Sequence, residues 1–496
     1  MKYFIKTYGC QMNYSDSERI AAVLETAGYE KTLSEDNADL IVINACSVRQ
    51  SAIDRISGRF KKYKRLRKAN PSLKIVLTGC VLKSDRKKFE KMFDLIVGTG
   101  EIEKMCRFHN PVRTAEPACK TPHSGSTGLS PLWNQRCNYL QIEPLRQSKF
   151  SAYVPIMTGC NNFCAYCVVP YTRGREYSRP AEEILNEIRD LAKQGYKEII
   201  LLGQNVNSYE SKITNQESRT PDSKFRILDS KTISFPALLK LINTVPGNFW
   251  IRFLTSHPKD MSEELIKTVA KCKKVTPYIH LALQSGDDEI LKKMNRKYTA
   301  KHFLKLVKMI RKYIPDATIS TDIIVGFPGE TEKQFQNTAA AMKEAKFDMA
   351  YINKYSPRAG TAAAKLSDDV GWQEKKRREK ILTEILKKTA LENNEKYIGK
   401  IVKALIDKVD DRFIYGKTES FKNVKINIGN QTFDINGNSK QRSNMHCHTK
   451  NTKPANIKHY DNSYYHSGNS KNLVGKFVKI KITQAGAWGL EGKIKG

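Results

Sequence analysis

The chain has 496 residues, of which 85 are Lys or Arg and 51 are Asp or Glu, and its formal net charge at pH 7 is +34. A charge excess of this size favours a polyanionic partner such as a nucleic acid, although an AT-rich genome would account for part of the lysine content. No apolar run approaches the roughly 20 residues that span a bilayer, and the first residues resemble a strand rather than a secretory signal, so the sequence predicts a cytoplasmic protein without a membrane anchor.

The first part of the chain, residues 1–106, alternates predicted strands and helices. The first helix is expected to begin at Ser15, because Glu18 stands at the spacing of a capping box. This alternation predicts an α/β domain with an open, doubly wound parallel sheet. Strands are predicted at 2–8, 40–44, 74–78 and 94–97, and helices at 15–27 and 48–69.

A second α/β domain is predicted over residues 151–388, after a linker at 107–150 that is rich in Pro, Ser, Thr and Gly. Six strand–helix units predict a partial or full barrel of the TIM type. A polar segment at about 210–231 is expected to be a surface-loop insertion. The predicted strands are 152–157, 198–203, 249–254, 278–283, 318–324 and 348–355, and the helices begin near Pro180, Ser234, Ser262, Asp287, Ala300 and Thr331.

The last part, residues 389–496, has short alternating strands that predict a small β-barrel. The strands lie at about 397–430 and 473–494. Between them, about 430–471 is a low-complexity stretch rich in Asn, Ser, Lys and His, which is expected to be a disordered insertion because it cannot bury a core.

Three of the eleven cysteines each follow a predicted parallel strand. They are Cys10, Cys46 and Cys80. The carboxyl ends of parallel strands meet at one edge of a sheet, so the three thiols are expected to form one site there. Because the cytosol is reducing and the cysteine count is odd, a metal or cluster is favoured over disulfides. Three buried structural cysteines remain the alternative.

A second group of three follows the first strand of the central domain, as Cys160, Cys164 and Cys167 in a C-x3-C-x2-C pattern. Three thiolates this close can hold three irons of a cubane cluster and leave the fourth iron open, as a catalytic metal site requires. That iron can chelate S-adenosylmethionine, whose reductive cleavage gives a 5′-deoxyadenosyl radical. A zinc site needs a fourth Cys or His nearby, and the next cysteine, Cys272, is remote.

The two cysteine triads and their surroundings closely resemble the methylthiotransferase family of radical S-adenosylmethionine enzymes. The run 168–180 is similar to members that modify tRNA at dimethylallyladenosine. Residues 397–400 and 416–418 resemble TRAM, a small RNA-binding β-barrel. Ala282 and Ala359 stand where the family usually has Pro. The other matching runs are 8–13, 46–49, 203–209, 255–258, 283–286, 294–296 and 326–331.

The resemblance implies two [4Fe-4S] clusters and S-adenosylmethionine as cofactors. Cys160, Cys164 and Cys167 would hold the radical-generating cluster, and Cys10, Cys46 and Cys80 an auxiliary cluster that carries the sulfur to be donated. One S-adenosylmethionine methylates that sulfur, and the radical from a second abstracts hydrogen from C2 of the adenine. Six residues at the barrel rim are predicted to contact the cofactor: Gly203, Gln204, Asn205, Gln284, Ser285 and Gly326. For the first three, a turn and general polarity of the rim are the alternative.

Three arginines after the cysteine loop are predicted to hold phosphates of the tRNA backbone, with a solvated basic turn as the alternative. They are Arg173, Arg175 and Arg179. Trp250 and Trp488 are expected to be core residues rather than base-stacking platforms.

The implied partners are the tRNA anticodon stem-loop, an electron donor of the flavodoxin or ferredoxin type and a sulfur source, and a monomer is expected. Unpaired loop bases are accessible without opening a duplex. One alternative is a methylthiotransferase that acts on threonylcarbamoyladenosine or on a ribosomal-protein aspartate. The other is a non-catalytic iron–sulfur RNA-binding protein. Two separate three-cysteine sites count against it, because such a protein has no need of two irons without a protein ligand.

Overall fold

The computed structural model describes residues 1–46, 50–102, 104–107, 139–212, 232–429, 431–433, 439–441 and 472–495. Most of the predicted linker and of the two predicted insertions lies outside these residues. No helix within the described ranges is both long enough and apolar enough to cross a membrane.

The N-terminal domain is a five-stranded parallel sheet with helices on both faces, as predicted. The strand order is β2-β1-β3-β4-β5. Every residue of β3 is buried, which explains its nearly continuous apolar sequence. The elements are β1 (Lys2–Tyr8), α1 (Gln11–Thr26), β2 (Glu30–Lys31), β3 (Leu40–Cys46), α2 (Gln50–Ser57), α3 (Phe60–Ala69), β4 (Lys74–Cys80), α4 (Lys83–Phe89), β5 (Leu95–Ile96) and α5 (Lys104–Arg107).

Two helix predictions in this domain are wrong. Helix α1 begins at Gln11 rather than at Ser15, because Cys10 is its N-cap and the Asn13 side chain accepts a hydrogen bond from the Cys10 backbone N–H. The helix predicted over 48–69 is two helices, α2 and α3. The break falls at Gly58, a residue type that is costly inside a helix.

The central domain is a partial barrel of six parallel strands. Two three-stranded sheets, β6-β9-β12 and β13-β14-β15, are joined by isolated parallel bridges, one of which pairs Ser256 with Leu281. The elements are β6 (Ser151–Pro155), β7 (Met157–Thr158), α6 (Val169–Thr172), β8 (Tyr177–Ser178), α7 (Ala181–Lys193), β9 (Glu198–Leu202), β10 (Glu210–Lys212), β11 (Thr232–Ser234), α8 (Phe235–Thr244), β12 (Trp250–Phe253), α9 (Glu263–Lys271), β13 (Tyr278–His280), α10 (Asp288–Lys293), α11 (Ala300–Tyr313), β14 (Thr318–Val325), α12 (Glu332–Ala345), β15 (Met349–Lys354) and α13 (Trp372–Glu395).

The C-terminal domain is a closed five-stranded barrel around an apolar core, as predicted. The strands follow the order β16-β17-β18-β22-β21 around the barrel. The short strands β19 and β20 pair with each other. The domain boundaries stay predictions, and α13 runs through residue 389. The strands are β16 (Ile401–Val409), β17 (Phe413–Thr418), β18 (Asn423–Asn427), β19 (Gln431–Phe433), β20 (Ser439–Gln441), β21 (Phe477–Gly486) and β22 (Gly489–Ile494).

Candidate active site at the domain interface

The three N-terminal cysteines lie together at the carboxyl edge of the sheet. Cys46 and Cys80 end β3 and β4 and face each other in register, and both are buried. A hydrogen bond from the Cys46 thiol lowers the pKa of the Cys80 thiol below its ordinary value, although burial opposes this. Burial raises the pKa of the Cys10 thiol, and the nearby Arg173 opposes this effect. The site is thus made of three soft sulfur donors beside a cation.

A close backbone approach and a pair of side-chain amides hold these cysteines together. Gly79 has φ +101°, and a Cβ there would overlap the carbonyl oxygen of Ala45 on the neighbouring strand. The buried Asn44 side chain donates to the Asn13 carbonyl oxygen at 2.7 Å, and Asn13 Nδ2 donates back to Asn44 Oδ1 at 3.0 Å. This pair of amides fixes the first turn of α1, and therefore Cys10, against β3.

The second cysteine triad occupies the loop between β7 and α6. The strand predicted at 152–157 ends at Pro155, and β7 instead pairs with β8, which closes this loop at its base. Gly159 has φ +78°, and a Cβ there would overlap the carbonyl oxygen of Arg175. The backbone N–H of Cys160 donates to Gly174 O at 3.2 Å, so the loop is held from both ends.

The thiols of this loop accept hydrogen bonds from neighbouring side chains. Asn162 Nδ2 donates to Cys160 Sγ at 3.5 Å, and Arg296 Nη1 donates to Cys164 Sγ at 3.4 Å. Burial raises the pKa of the Cys160 thiol, and it raises that of Cys167 to about 12. The Cys160 and Cys167 thiols are therefore neutral at pH 7 unless a metal displaces their protons.

Both triads have the donor chemistry of an iron–sulfur site. No three His, Cys, Asp or Glu side chains within the described ranges converge as ligands of a single metal ion would. A cubane cluster holds its thiolates farther apart than one ion does, and three sulfur donors alone suit iron–sulfur chemistry. The residues present therefore fit the cluster, and their role as ligands stays a prediction.

Arg173 is buried between the two halves of the site, so the prediction that it holds RNA phosphates is wrong. Its Nη2 pairs with Asp16 Oδ2 at 2.6 Å, Nε donates to Cys80 Sγ at 3.0 Å, and Nη1 donates to Tyr139 Oη at 3.1 Å. All three nitrogens already donate to protein groups and the side chain is only 2% exposed, so the guanidinium is not accessible to an external phosphate.

The other two arginines of the loop differ from each other. Arg179 is buried, pairs with Glu187 at 2.7 Å and donates to Pro155 O at 2.8 Å, so its predicted phosphate contact is also wrong. Its burial also rules out the solvated-turn alternative for this residue. Arg175 is exposed and lies over the Phe163 ring, 4.5 Å from the centroid.

A cavity of about 470 Å³ opens beside Cys167. Its polar lining includes Gln284, which has φ +66°, and the carboxylate of Asp322. Asp322 Oδ2 lies 3.0 Å from His280 Nε2, so the carboxylate is held in place. Asp54 of the N-terminal domain also lines this cavity, which therefore spans the domain interface.

The predicted cofactor contacts at the barrel rim lie in different surroundings. Gln284 lines the cavity, and the side-chain oxygen of Gln204 is buried without a hydrogen-bond partner among the described residues. Gly203 lies against Met157, since a Cβ there would overlap that side chain. For these three residues cofactor contact stays a prediction.

The remaining three rim residues are engaged with protein groups. Asn205 accepts from the His257 N–H and donates to Ser208 and Asp260. Ser285 is fully buried against Thr338, and Gly326 packs on Lys375 with φ +68°. Their cofactor roles stay predictions, but each has a structural role that explains its presence.

Sequence reasoning gave no role to Arg296, Asp322 or His280. Arg296 stands in the run 294–296 of the family resemblance, and this is the signal that could have pointed to it. Asp322 and His280 sit on predicted strands, where no local pattern marks a polar pair.

One of the two tryptophan expectations is correct. Trp250 is buried and packs on Phe477 of the C-terminal barrel, with ring centroids 4.5 Å apart. Trp488 is 48% exposed at the turn between β21 and β22, so its prediction as a core residue is wrong. A hairpin turn has no second layer to cover so large a side chain.

Comparison with known proteins gives consistent matches over the whole chain. Residues 154–342 match the Radical SAM superfamily, and residues 2–98 match the uncharacterized protein family UPF0004. The chain is 39% identical to the tRNA-2-methylthio-N(6)-dimethylallyladenosine synthase of Clostridium novyi, over 99% of this chain and 96% of that protein. It is 37% identical to the enzyme of the same name from Thermoanaerobacter pseudethanolicus, over 99% and 92%.

Among solved structures, the fold is similar to that of TsrM, a radical S-adenosylmethionine methyltransferase from Kitasatospora setae. The TM-score is 0.50 at 15% identity, over 73% of this chain and 74% of that chain. This likeness concerns the fold alone.

Proposed function

This chain belongs to the tRNA-2-methylthio-N(6)-dimethylallyladenosine synthase family of radical S-adenosylmethionine enzymes, and we infer that it adds a methylthio group to C2 of dimethylallyladenosine beside the anticodon of tRNA. It is a transferase whose cofactors are S-adenosylmethionine and two [4Fe-4S] clusters. The observation that carries this inference is full-length similarity to enzymes of that name, together with two cysteine triads facing one interface.

The six cysteines divide into two ligand sets. Cys160, Cys164 and Cys167 would hold the cluster that, with S-adenosylmethionine bound, supplies the radical. Cys10, Cys46 and Cys80 would hold the auxiliary cluster that carries the sulfur. The guanidiniums of Arg296 and Arg173, which donate to a sulfur of each set, support this assignment because a nearby cation stabilises thiolates.

The cavity beside Cys167 is where the adenosine and S-adenosylmethionine would meet. Its volume is within the range of small-molecule sites. Ile324 and Ile352 supply apolar lining that suits a dimethylallyl chain. The Asp322 carboxylate, positioned by His280, is an acceptor for an N–H or amino group. The residues that line the cavity would orient the base and exclude water from the radical.

The remaining partners follow from this function. The substrate would be the anticodon stem-loop of tRNA, with electrons from a flavodoxin- or ferredoxin-type protein and sulfur from a separate source. A cytoplasmic monomer is the form we propose. The names of the two relatives compared above favour dimethylallyladenosine over a threonylcarbamoyladenosine or ribosomal-protein substrate.

The test is mass spectrometry of tRNA nucleosides from cells that lack this gene. The 2-methylthio nucleoside should disappear, its unthiolated dimethylallyl precursor should accumulate, and the gene should restore the wild-type pattern. Persistence of the 2-methylthio nucleoside in the deletion strain would show that the substrate assignment is wrong.

Complementation with variants tests the ligand assignment. Cys160→Ala and Cys10→Ala should each fail to restore the 2-methylthio nucleoside. Cys272→Ala is the control, because Cys272 is a buried cysteine of the central core that belongs to neither triad. Restoration by Cys10→Ala would contradict the auxiliary site.

A further inference from the structure

Several flat side chains are exposed around the loop that carries Cys160, Cys164 and Cys167. Tyr171 is 57% and Tyr177 is 44% exposed. Most of the other described aromatic side chains of the central domain are buried, with Tyr351 and Trp372 as exposed exceptions. We call Phe163, Tyr171, Arg175 and Tyr177 the aromatic rim.

Three members of the aromatic rim are in contact. The rings of Phe163 and Tyr171 meet edge to face, with centroids 6.1 Å apart and planes at 84°. The Arg175 guanidinium lies 4.5 Å from the Phe163 centroid. Phe163 has φ 46°, a backbone conformation that L-residues rarely adopt. Since an edge-to-face pair leaves a ring face uncovered, this arrangement presents flat surface to solvent.

The aromatic rim is rigidly tied to the cysteine loop. Gly159 packs on the Arg175 backbone, and the Glu176 N–H donates to Asn161 Oδ1 at 3.3 Å. Tyr177 pairs with Thr158, the residue two positions before Cys160. The exposed rings therefore sit at a fixed place beside the predicted radical site, not on a separate surface.

The chemistry of the aromatic rim is that of single-stranded RNA recognition. Unpaired bases stack on aromatic rings and on guanidinium planes, and the guanidinium also attracts phosphate. Arg175 forms no salt bridge with any residue that the structure describes, so its charge is not neutralised within the described protein. The chain's net charge of +34 attracts the polyanion as a whole.

We propose that the aromatic rim is a stacking platform for the unpaired anticodon-loop bases that flank the target adenosine. Stacking there holds the loop open while the target base enters the cavity beside Cys167. This inference rests on the proposed function, since it takes the ligand to be the loop of a tRNA. The occupant we propose is RNA. The test below distinguishes RNA stacking on these rings from their use as a contact for a protein partner.

The test uses the full chain with both clusters reconstituted and an anticodon stem-loop RNA that carries 2-aminopurine next to the target adenosine. Wild-type protein should quench the 2-aminopurine on binding. Tyr171→Ala and Tyr177→Ala should lose the quenching and raise the Kd by about tenfold, or about 1.4 kcal/mol, because each removes the ring on which a base stacks. Tyr171→Phe should keep both properties, since its ring is retained.

Controls separate stacking from damage to the loop. Iron content and RNA-independent cleavage of S-adenosylmethionine should match the wild type in each variant. If Tyr171→Ala loses iron, Tyr177→Ala and Arg175→Gln decide the question. Phe60→Ala is the matched control, because Phe60 is 46% exposed but lies on α3 of the N-terminal domain.

Two results would be decisive in opposite ways. Wild-type affinity and quenching in Tyr171→Ala, Tyr177→Ala and Arg175→Gln would overturn the platform, and would leave a protein contact as the use of these rings. Normal binding and quenching without any methylthio product would instead count against the proposed function while the platform stands.

Discussion

Arg173 connects the two halves of the site at the level of a single side chain. It belongs to the central domain, yet it pairs with Asp16 of α1 and donates to the thiol of Cys80. Both charged side chains are almost fully buried, at 2% and 1% exposure. A buried ion is tolerated only when it is paired and hydrogen-bonded, and removal of one partner leaves the other charge buried without a counter-charge.

Arg173→Gln should therefore destabilise the protein strongly. It leaves the Asp16 carboxylate buried without its cation, which costs about 3–5 kcal/mol. Chemical denaturation of the metal-free chain, followed by circular dichroism, measures the change. Because several domains unfold, the transition of the N-terminal domain is the one to compare.

The exposed neighbour provides the control for this substitution. Arg175→Gln removes the same charge two residues away and should shift stability by no more than about 0.5 kcal/mol. Equal losses in both variants would mean that burial of the Asp16 pair is not the cause.

At the scale of elements, the sequence predicted the positions of the cysteines in the fold better than it predicted their surroundings. The positions of Cys10, Cys46 and Cys80 at strand ends follow from apolar runs, which local pattern reveals. The start of α1 was missed because Cys is not a usual N-cap residue, and Ser15 with Glu18 imitated one. The burial of Arg173 could not be predicted, since it depends on Asp16, 157 residues away in sequence.

The turn at Gly159 gives a prediction about the second triad. Gly159→Ala should prevent reconstitution of iron at Cys160, Cys164 and Cys167, because φ +78° is unfavourable for Ala and its Cβ would overlap the Arg175 carbonyl. The N-terminal triad lies on another domain and should keep its iron. Iron and sulfide analysis with electron paramagnetic resonance of the reduced protein distinguishes the two sites.

Gly174→Ala is a close control for that change. Gly174 has the same φ of +78°, but no atom lies within 4 Å of the place where its Cβ would be. The variant should lose only the ~1–2 kcal/mol of stability that a non-glycine residue costs in the left-handed conformation, and it should retain both clusters. Loss of iron in both variants would show that backbone strain, and not the clash with Arg175, limits the loop.

For the molecule as a whole, hydrogen bonds and an ion pair made by buried charged side chains fix the C-terminal barrel to the central domain. Arg252 of β12 pairs with Glu198 at 2.6 Å and donates to the carbonyl oxygens of Thr418 and Glu419. Lys422 pairs with Asp348 at 2.6 Å, and both side chains are 7% exposed. A barrel held this way keeps a constant position relative to the central domain, as the RNA contact predicted for a TRAM-like barrel would require.

The Lys422–Asp348 pair allows that rigidity to be tested without touching the cysteine sites. Lys422→Met leaves Asp348 buried and unpaired, so it should loosen the barrel, expose the 396–400 connection to proteases and raise the KM for tRNA more than it lowers kcat. Adding Asp348→Leu removes the unpaired buried charge and should restore most of the resistance to proteases, since an apolar pair can replace a buried ion pair.

Lys425→Met is the control, because it removes an exposed ion pair in which Lys425 Nζ lies 4.0 Å from Glu491. It should change neither the protease resistance nor the KM for tRNA. If proteases cleave the double variant as fast as Lys422→Met, the unpaired charge of Asp348 is not the cause of the loosening. The barrel is then held mainly by apolar contacts such as Trp250 on Phe477.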